Sequence, residues 1–167
     1  MPSERANVMA DRAGKCLTFK LGDEEYGLPI LKVQEIIGMM KVTRVPRTPG
    51  FVRGVINLRG KVIPVIDLRR KFQMERREDT DKTCIIVVQI GFEAKTATMG
   101  MIVDEVSEVR DIGAEQIEPP PAFGAAVDTE FIWGMGKIDH KVVTLLDVDK
   151  TLSAGDMAMV NRAVESA

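Results

Sequence analysis

The sequence predicts a mainly β protein built from two similar halves, each of about five short strands, with a short helix at the C-terminus. Three observations carry this. First, the chain repeats itself. Residues 26–36 match residues 99–109 at a spacing of 73, so that Gly27 meets Gly100, Val33 meets Val106, Glu35 meets Glu108 and Pro46 meets Pro119. After a seven-residue insertion the spacing becomes 80, and Gly54 meets Gly134, Lys61 meets Lys141, Val62 meets Val142 and Asp67 meets Asp147. Ahead of both, Phe19-Lys20-Leu21-Gly22 matches Val88-Gln89-Ile90-Gly91 at a spacing of 69. Second, the apolar runs are short, β-branched and punctuated by turn residues. Third, the matches fall on apolar residues, Gly and Pro. What was duplicated is a scaffold, with indels where two related units differ in loop length.

Along the chain, residues 17–21 alternate, 22–25 supply a turn, and 26–37 run extended, which is a hairpin. Residues 49–53 suggest a short helix. Residues 55–58 and 62–66 flank a tight turn at Arg59-Gly60-Lys61, and Pro64 marks the second strand as edge or bulged. A short helix over 68–72 closes the first half. Residues 84–90 and 99–109 form the second leading hairpin, and 135–138 with 142–146 repeat the tight-turn hairpin across Asp139-His140-Lys141. Ser153 and Asp156 have the spacing of a helix start, after which Met157, Val160 and Val164 fall on one face. The expected organisation is a flexible tail (1–14), one domain (15–155) with approximate halves 15–82 and 83–155, and a C-terminal helix and tail (153–167). Exchange of end strands between the halves is left open.

The chain of 167 residues, 45% apolar and 29% charged, fits one globular domain or two small units sharing a core. No apolar run approaches the roughly 20 residues needed to span a bilayer, and the first 14 residues lack the apolar stretch of a secretory signal. Cys16 and Cys84 occupy corresponding places in apolar strands. We read them as two buried thiols of a reducing compartment rather than a disulfide.

Charge is segregated. Residues 44–77 carry ten Lys/Arg against two Asp/Glu, whereas residues 91–149 carry four against twelve, although the net charge is only −2. A basic patch suits nucleic acid or an acidic protein face. With 5% aromatic residues there is little to stack bases on, so the protein partner is favoured.

Reactive constellations are scarce. The one histidine, His140, lies in a turn, and no metal-ligand spacing or phosphate-binding glycine loop occurs. Asp67 and Asp147, equivalent carboxylates after apolar strands, are the one pair to weigh as a catalytic dyad. Each is followed by Leu or Val, which suits a carboxylate capping a short helical turn. The chain reads as a non-enzyme without cofactor or metal.

Ile30, Val33 and Ile36, with the counterpart Val106, belong to the second strands of the two halves. A pseudo-twofold arrangement sets such strands across a groove where an amphipathic helix docks; the plain alternative is core. Glu35 and Arg59 either pair or stay solvated at the rim. Phe123, after Pro119-Pro120-Pro121, is either a lid over its own core or an anchor for a partner.

The segments Gly22-Asp23-Glu24-Glu25-Tyr26-Gly27, Ile30-Leu31-Lys32-Val33-Gln34-Glu35-Ile36, Gly54-Val55-Ile56-Asn57-Leu58-Arg59-Gly60 and Pro64-Val65-Ile66-Asp67-Leu68-Arg69 resemble the bacterial chemotaxis coupling proteins of the CheW family. So do Gly100-Met101-Ile102-Val103-Asp104 and the stretch 115–123, and the likeness extends from about Leu17 to about Val160. The resemblance implies two SH3-like five-stranded β-barrels around a shared hydrophobic core. It also implies a non-enzymatic, cytoplasmic adaptor joining methyl-accepting chemoreceptors to the regulatory domain of the histidine kinase CheA. Such an adaptor reaches the inner membrane only through receptor arrays and self-associates in rings, with no role for nucleic acid. Carried over by residue, the receptor groove falls on Leu17, Ile30, Val33, Ile36 and Val106, coupling and kinase control on Glu35 and Arg59, and a kinase or ring contact on Phe123.

Overall fold

The computed structural model describes residues 14–75, 77–92, 95–120, 131–151, 156 and 160. Among these, eleven strands form two sheets. The first half contributes β1 (Gly14–Leu21), β2 (Glu24–Pro29), β3 (Val33–Gly38), β4 (Val52–Leu58), β5 (Lys61–Asp67) and the one-turn helix α1 (Leu68–Lys71). The second contributes β6 (Cys84–Phe92), β7 (Lys95–Val103), β8 (Glu105–Ile112), the short β9 (Ile117–Glu118), β10 (Ile132–Ile138) and β11 (Lys141–Leu146).

Neither sheet is drawn from one half. The first runs β8-β1-β2-β11-β10-β9 and the second β3-β6-β7-β5-β4. With the repeat in mind, β8-β1-β2-β11-β10 and β3-β6-β7-β5-β4 are the same order, each sheet taking its two leading strands from one half and the rest from the other. The joins are parallel: β2 lies beside β11 and β5 beside β7. The repeated glycines explain how these joins close. A Cβ on Gly100 would lie 2.8 Å from Ile85 Cγ2 and 3.3 Å from Val65 Cγ2, and one on Gly27 would lie 3.0 Å from Leu145 Cδ2.

Both sheets curl shut through the segment that follows their third strand. Thr43 and Val55 exchange backbone hydrogen bonds of 2.9 Å, bringing the chain after β3 against β4. At the equivalent place β9 pairs with β10. The result is two small β-barrels, and the apolar residues sort accordingly. Ile56, Ile63, Val65, Ile85, Val87 and Ile102 fill one barrel, and Cys16, Ile112, Ile117, Trp133, Ile138, Val143 and Leu145 fill the other. A third cluster lies between them, with Leu17, Phe19 and Leu21 from β1 meeting Ile86, Val88 and Ile90 from β6. Strand alternation makes this possible, since successive side chains point to opposite faces. In β6, Ile85 and Val87 enter a barrel while Ile86 and Val88 enter the shared core.

Several expectations need correction. The extended run 26–37 is two strands in different sheets, separated by a 3-10 turn at Ile30–Lys32, because Pro29 has no N–H to continue the ladder. The run 99–109 likewise breaks at Asp104. Residues 49–53 are not helical: Val52 N donates to Pro49 O (3.0 Å) in a single turn, and Val52 already pairs with Ile66. Pro64 sits in a strand flanked on both sides. It is tolerated because the parallel ladder with β7 begins only at Val65. The two tight turns hold left-handed residues (Arg59 and Gly60; Asp139 and His140), as two-residue hairpins of this hand require. Of the C-terminal helix, Asp156 and Val160 are helical and Val160 is buried in the shared core. Ser153, Met157 and Val164 lie outside the described residues.

Candidate docking groove

The third strands β8 and β3 each form one edge of their sheet, and each carries a bulge. In β3 the register steps between Val33, opposite Val88, and Glu35, opposite Val87, so Gln34 is the extra residue. A bulge resets the alternation. Val33 opposite Val88 and Ile36 opposite Ile86 therefore share the face turned to the common core, although they are three apart. β8 repeats this: Val106 stands opposite Phe19 and Val109 opposite Leu17. The Thr18 hydroxyl holds that bulge, donating to Glu108 O (2.8 Å) and accepting from Glu108 N (3.2 Å).

The structure thus brings the five expected groove residues to the shared-core side, with differing exposure. Leu17 is buried; Ile30, Val33 and Val106 are half-buried against the core; Ile36 is 44% exposed. Leu17 lies on the first strand, as expected, whereas Ile30, Val33, Ile36 and Val106 lie on the third strands and the turn between β2 and β3, where the sequence alone suggests second strands. Val109, 49% exposed, is the residue that sequence reasoning missed. Its signal was the repeat itself, for it stands 73 residues after Ile36. Leu31, at the turn before β3, is the most exposed large apolar side chain among those described, at 95%.

On the opposite face of β3, Glu35 accepts a hydrogen bond from Arg59 at the tip of the β4–β5 hairpin. That bond, with the charge of the guanidinium, holds the Glu35 carboxyl below the usual carboxylate range. The pair fastens the hairpin tip to the edge strand. Phe123 lies outside the described residues.

The carboxylates weighed as a dyad are caps in different sheets. Asp67 accepts from Arg69 N and Asp147 from Asp149 N, both at 3.1 Å, where β5 and β11 each enter a helical turn. Asp67 also accepts from Arg53 (3.1 Å). Cys16 and Cys84 are free thiols. Among the described residues no group of His, Cys, Asp or Glu could hold a metal ion, and no helix is long and apolar enough to cross a membrane.

Residues 15–156 match the family described as the CheW-like domain. The chain is 43% identical over 150 residues to the chemotaxis protein CheW of Klebsiella aerogenes, covering 90% of this chain and 88% of that protein. It is 37% identical to the chemotaxis protein CheW of Helicobacter pylori, covering 80% and 78%. Against Protein FrzA of Myxococcus xanthus it is 31% identical, covering 86% and 88%. Among solved structures, the scaffolding protein TtCheW from Thermoanaerobacter tengcongensis superposes with a TM-score of 0.76 at 38% identity, covering 86% of this chain and 95% of that one.

Proposed function

The chain belongs to the CheW-like domain family, and from that premise we propose that it is a non-enzymatic adaptor coupling methyl-accepting chemoreceptors to the histidine kinase CheA in bacterial chemotaxis arrays. The observation that carries this reading is the pair of bulged edge strands. They present Val33 and Ile36 from one barrel and Val106 from the other at the rim of the shared core, where core side chains and solvent meet.

The receptor's cytoplasmic hairpin is a pair of amphipathic helices, and an apolar rim of this kind takes such a helix by its i, i+3, i+4 stripe. Leu17 forms the floor, Ile30, Val33 and Val106 the walls, and Ile36 the exposed lip. Glu35 and Arg59, on the reverse face of β3, control coupling by fixing the edge strand. Nothing in this scheme transfers a group or an electron; the output is geometry. The kinase's regulatory domain docks beside the receptor site, with Phe123 as a contact to the kinase or the next ring member. Segregated charge supports a head-to-tail contact, basic first half to acidic second half. Heterologous contacts close into rings when the rotation permits, and a ring lets small receptor movements bias many kinases. The protein works in the cytoplasm and reaches the membrane through its receptors.

The test is a binding and activation assay with receptor cytoplasmic fragments and CheA. Val33→Asp should abolish receptor binding while circular dichroism and the unfolding transition remain those of a folded protein. Ile36→Asp, on the exposed lip, should weaken binding with less effect on stability. Undiminished binding by both variants would sink the groove assignment.

A further inference from the structure

The repeat places a second fastening where the first is formed by Glu35 and Arg59, and its chemistry differs. The position equivalent to Glu35 is Glu108, 73 residues on, and that equivalent to Arg59 is Asp139, 80 residues on. Both are acidic, so a direct copy of the first pair would place two carboxylates together. Arg110, two residues further along β8, bridges them: Nε donates to Glu108 Oε1 (2.7 Å) and Nη1 to Asp139 Oδ2 (3.2 Å). Glu108 stands opposite Thr18 and Arg110 opposite Cys16 in the β1–β8 register, on the barrel side of the sheet. Val106 and Val109 occupy the other side. Glu35, opposite Val87, has the same relation to Val33 and Ile36. Both edge strands are thus fastened from behind to a hairpin tip, one by an arginine on the tip and the other by an arginine on the strand.

We propose that Arg110 is a second positioning residue of the docking groove, holding β8 and its groove side chains Val106 and Val109 by bridging Glu108 to Asp139, as Arg59 holds β3. β8 has a paired neighbour on one side only, β1, and its ladder is already interrupted by the bulge at Ser107. An edge strand with a broken ladder opens locally at low cost, and the latch opposes that opening. Arg110 is half-buried and Asp139 exposed, so the bridge adds little to global stability. Its effect is local, on the order of the strand edge. The groove role rests on the coupling function proposed above; the fastening of β8 does not.

The experiment compares the full-length chain with Arg110→Ala, Arg110→Lys and the double variant Arg110→Ala/Asp139→Arg. The double variant moves the guanidinium to the tip, opposite Glu108, and recreates the first-half arrangement. Two quantities are read: native-state amide exchange across β8 and β3, and affinity for a receptor cytoplasmic fragment. Arg110→Ala should speed exchange at residues 106–109 and lower affinity, each by about two- to fivefold, with β3 exchange and the unfolding midpoint unchanged. The double variant should restore both, and Arg110→Lys should fall between. Unchanged β8 exchange in Arg110→Ala, or no restoration by the double variant, overturns the latch. Faster exchange with unaltered affinity overturns its role in the groove. If the wild-type chain itself fails to bind the receptor fragment, the coupling function and the groove role fall together, and exchange alone decides the latch.

Discussion

Arg69 and Asp149 stand at the same place in the repeat, 80 residues apart, and hold opposite charges in equivalent ion pairs. Arg69 Nη2 lies 2.7 Å from Asp104 Oδ2, and Asp104 also accepts from Gly22 N (2.7 Å) in the β1–β2 turn. In the other unit, Asp149 accepts from Gly91 N (2.8 Å) near the end of β6 and from Lys32 Nζ (3.0 Å). The joint survives with its charges exchanged because what it must do is bind a glycine amide at the far end of the leading strand and tie the link between second and third strands.

The Asp104 joint gives a pH-dependent prediction. Burial raises the carboxyl's pKa, but the Arg69 hydrogen bond, the Gly22 amide and Arg77 outweigh it and hold Asp104 below its ordinary value. A depressed carboxylate stabilises the fold fully above its unfolded pKa of about 3.9, and this contribution is lost as pH falls through the lower native value. Asp104→Asn should cost about 2 kcal/mol at pH 7 and remove part of the acid sensitivity. Urea unfolding from pH 7 to pH 3 measures both.

Gly54 is demanded by barrel closure. Its φ is +147°, and a Cβ there would lie 2.1 Å from the Thr43 carbonyl oxygen, the group that bonds Val55 N. Gly54→Ala should cost about 3 kcal/mol and loosen the β3–β4 closure. Gly136→Ala, whose Cβ would meet Ile112 at 3.6 Å, is the control and should cost about 1 kcal/mol or less. Thermal or urea denaturation of the two variants checks the difference.

Much of this was legible in the sequence because the same backbone solution is used twice. Gly27 with Gly100 and Gly54 with Gly134 survive as matched residues since a Cβ would be crowded at all four, by the Thr43 backbone at Gly54 and by packed side chains at the other three. The caps Asp67 and Asp147 were legible for the same reason. Partnership between strands was not. Whether β3 packs on β1 or crosses to β6 depends on long-range pairing, and local pattern is silent on that. The bulge at Gln34 was hidden too, because a spacing of three between Val33 and Ile36 breaks strand alternation and shows as a bulge only when the register is known. Arg110 was missed because no arginine stands at the matching place in the first half; it takes over the part of Arg59, whose own counterpart is Asp139.

The shared core is threaded by a stack of rings: Phe19 to Tyr26 and Tyr26 to Phe72 at 5.8 Å, and Phe72 to Phe131 at 4.9 Å. Phe72 joins the turn after α1 to the approach to β10, so it couples the two barrels. Phe72→Ala should cost about 3 kcal/mol. Because the loss falls between the barrels, unfolding followed by near-ultraviolet and far-ultraviolet circular dichroism should lose the coincidence seen in the wild type.

The thiols provide a probe of packing. Burial pushes the Cys16 thiol up to about 11, and Cys84, half-buried, is raised as well. Since the thiolate is the reacting species, a disulfide reagent at pH 8 should leave Cys16 unmodified in the folded protein and react with both cysteines in denaturant. Modification followed by mass spectrometry distinguishes the two sites.

The central claim is tested most directly by reconstitution: receptor cytoplasmic fragments on membranes, purified CheA, and this chain, with ATP turnover as the readout. The account predicts kinase activity that rises strongly on adding the chain, stays low with Val33→Asp, and is reduced with charge reversal at Arg59 in a protein that remains folded. Kinase activity indifferent to the chain, or equal activation by Val33→Asp, would contradict it.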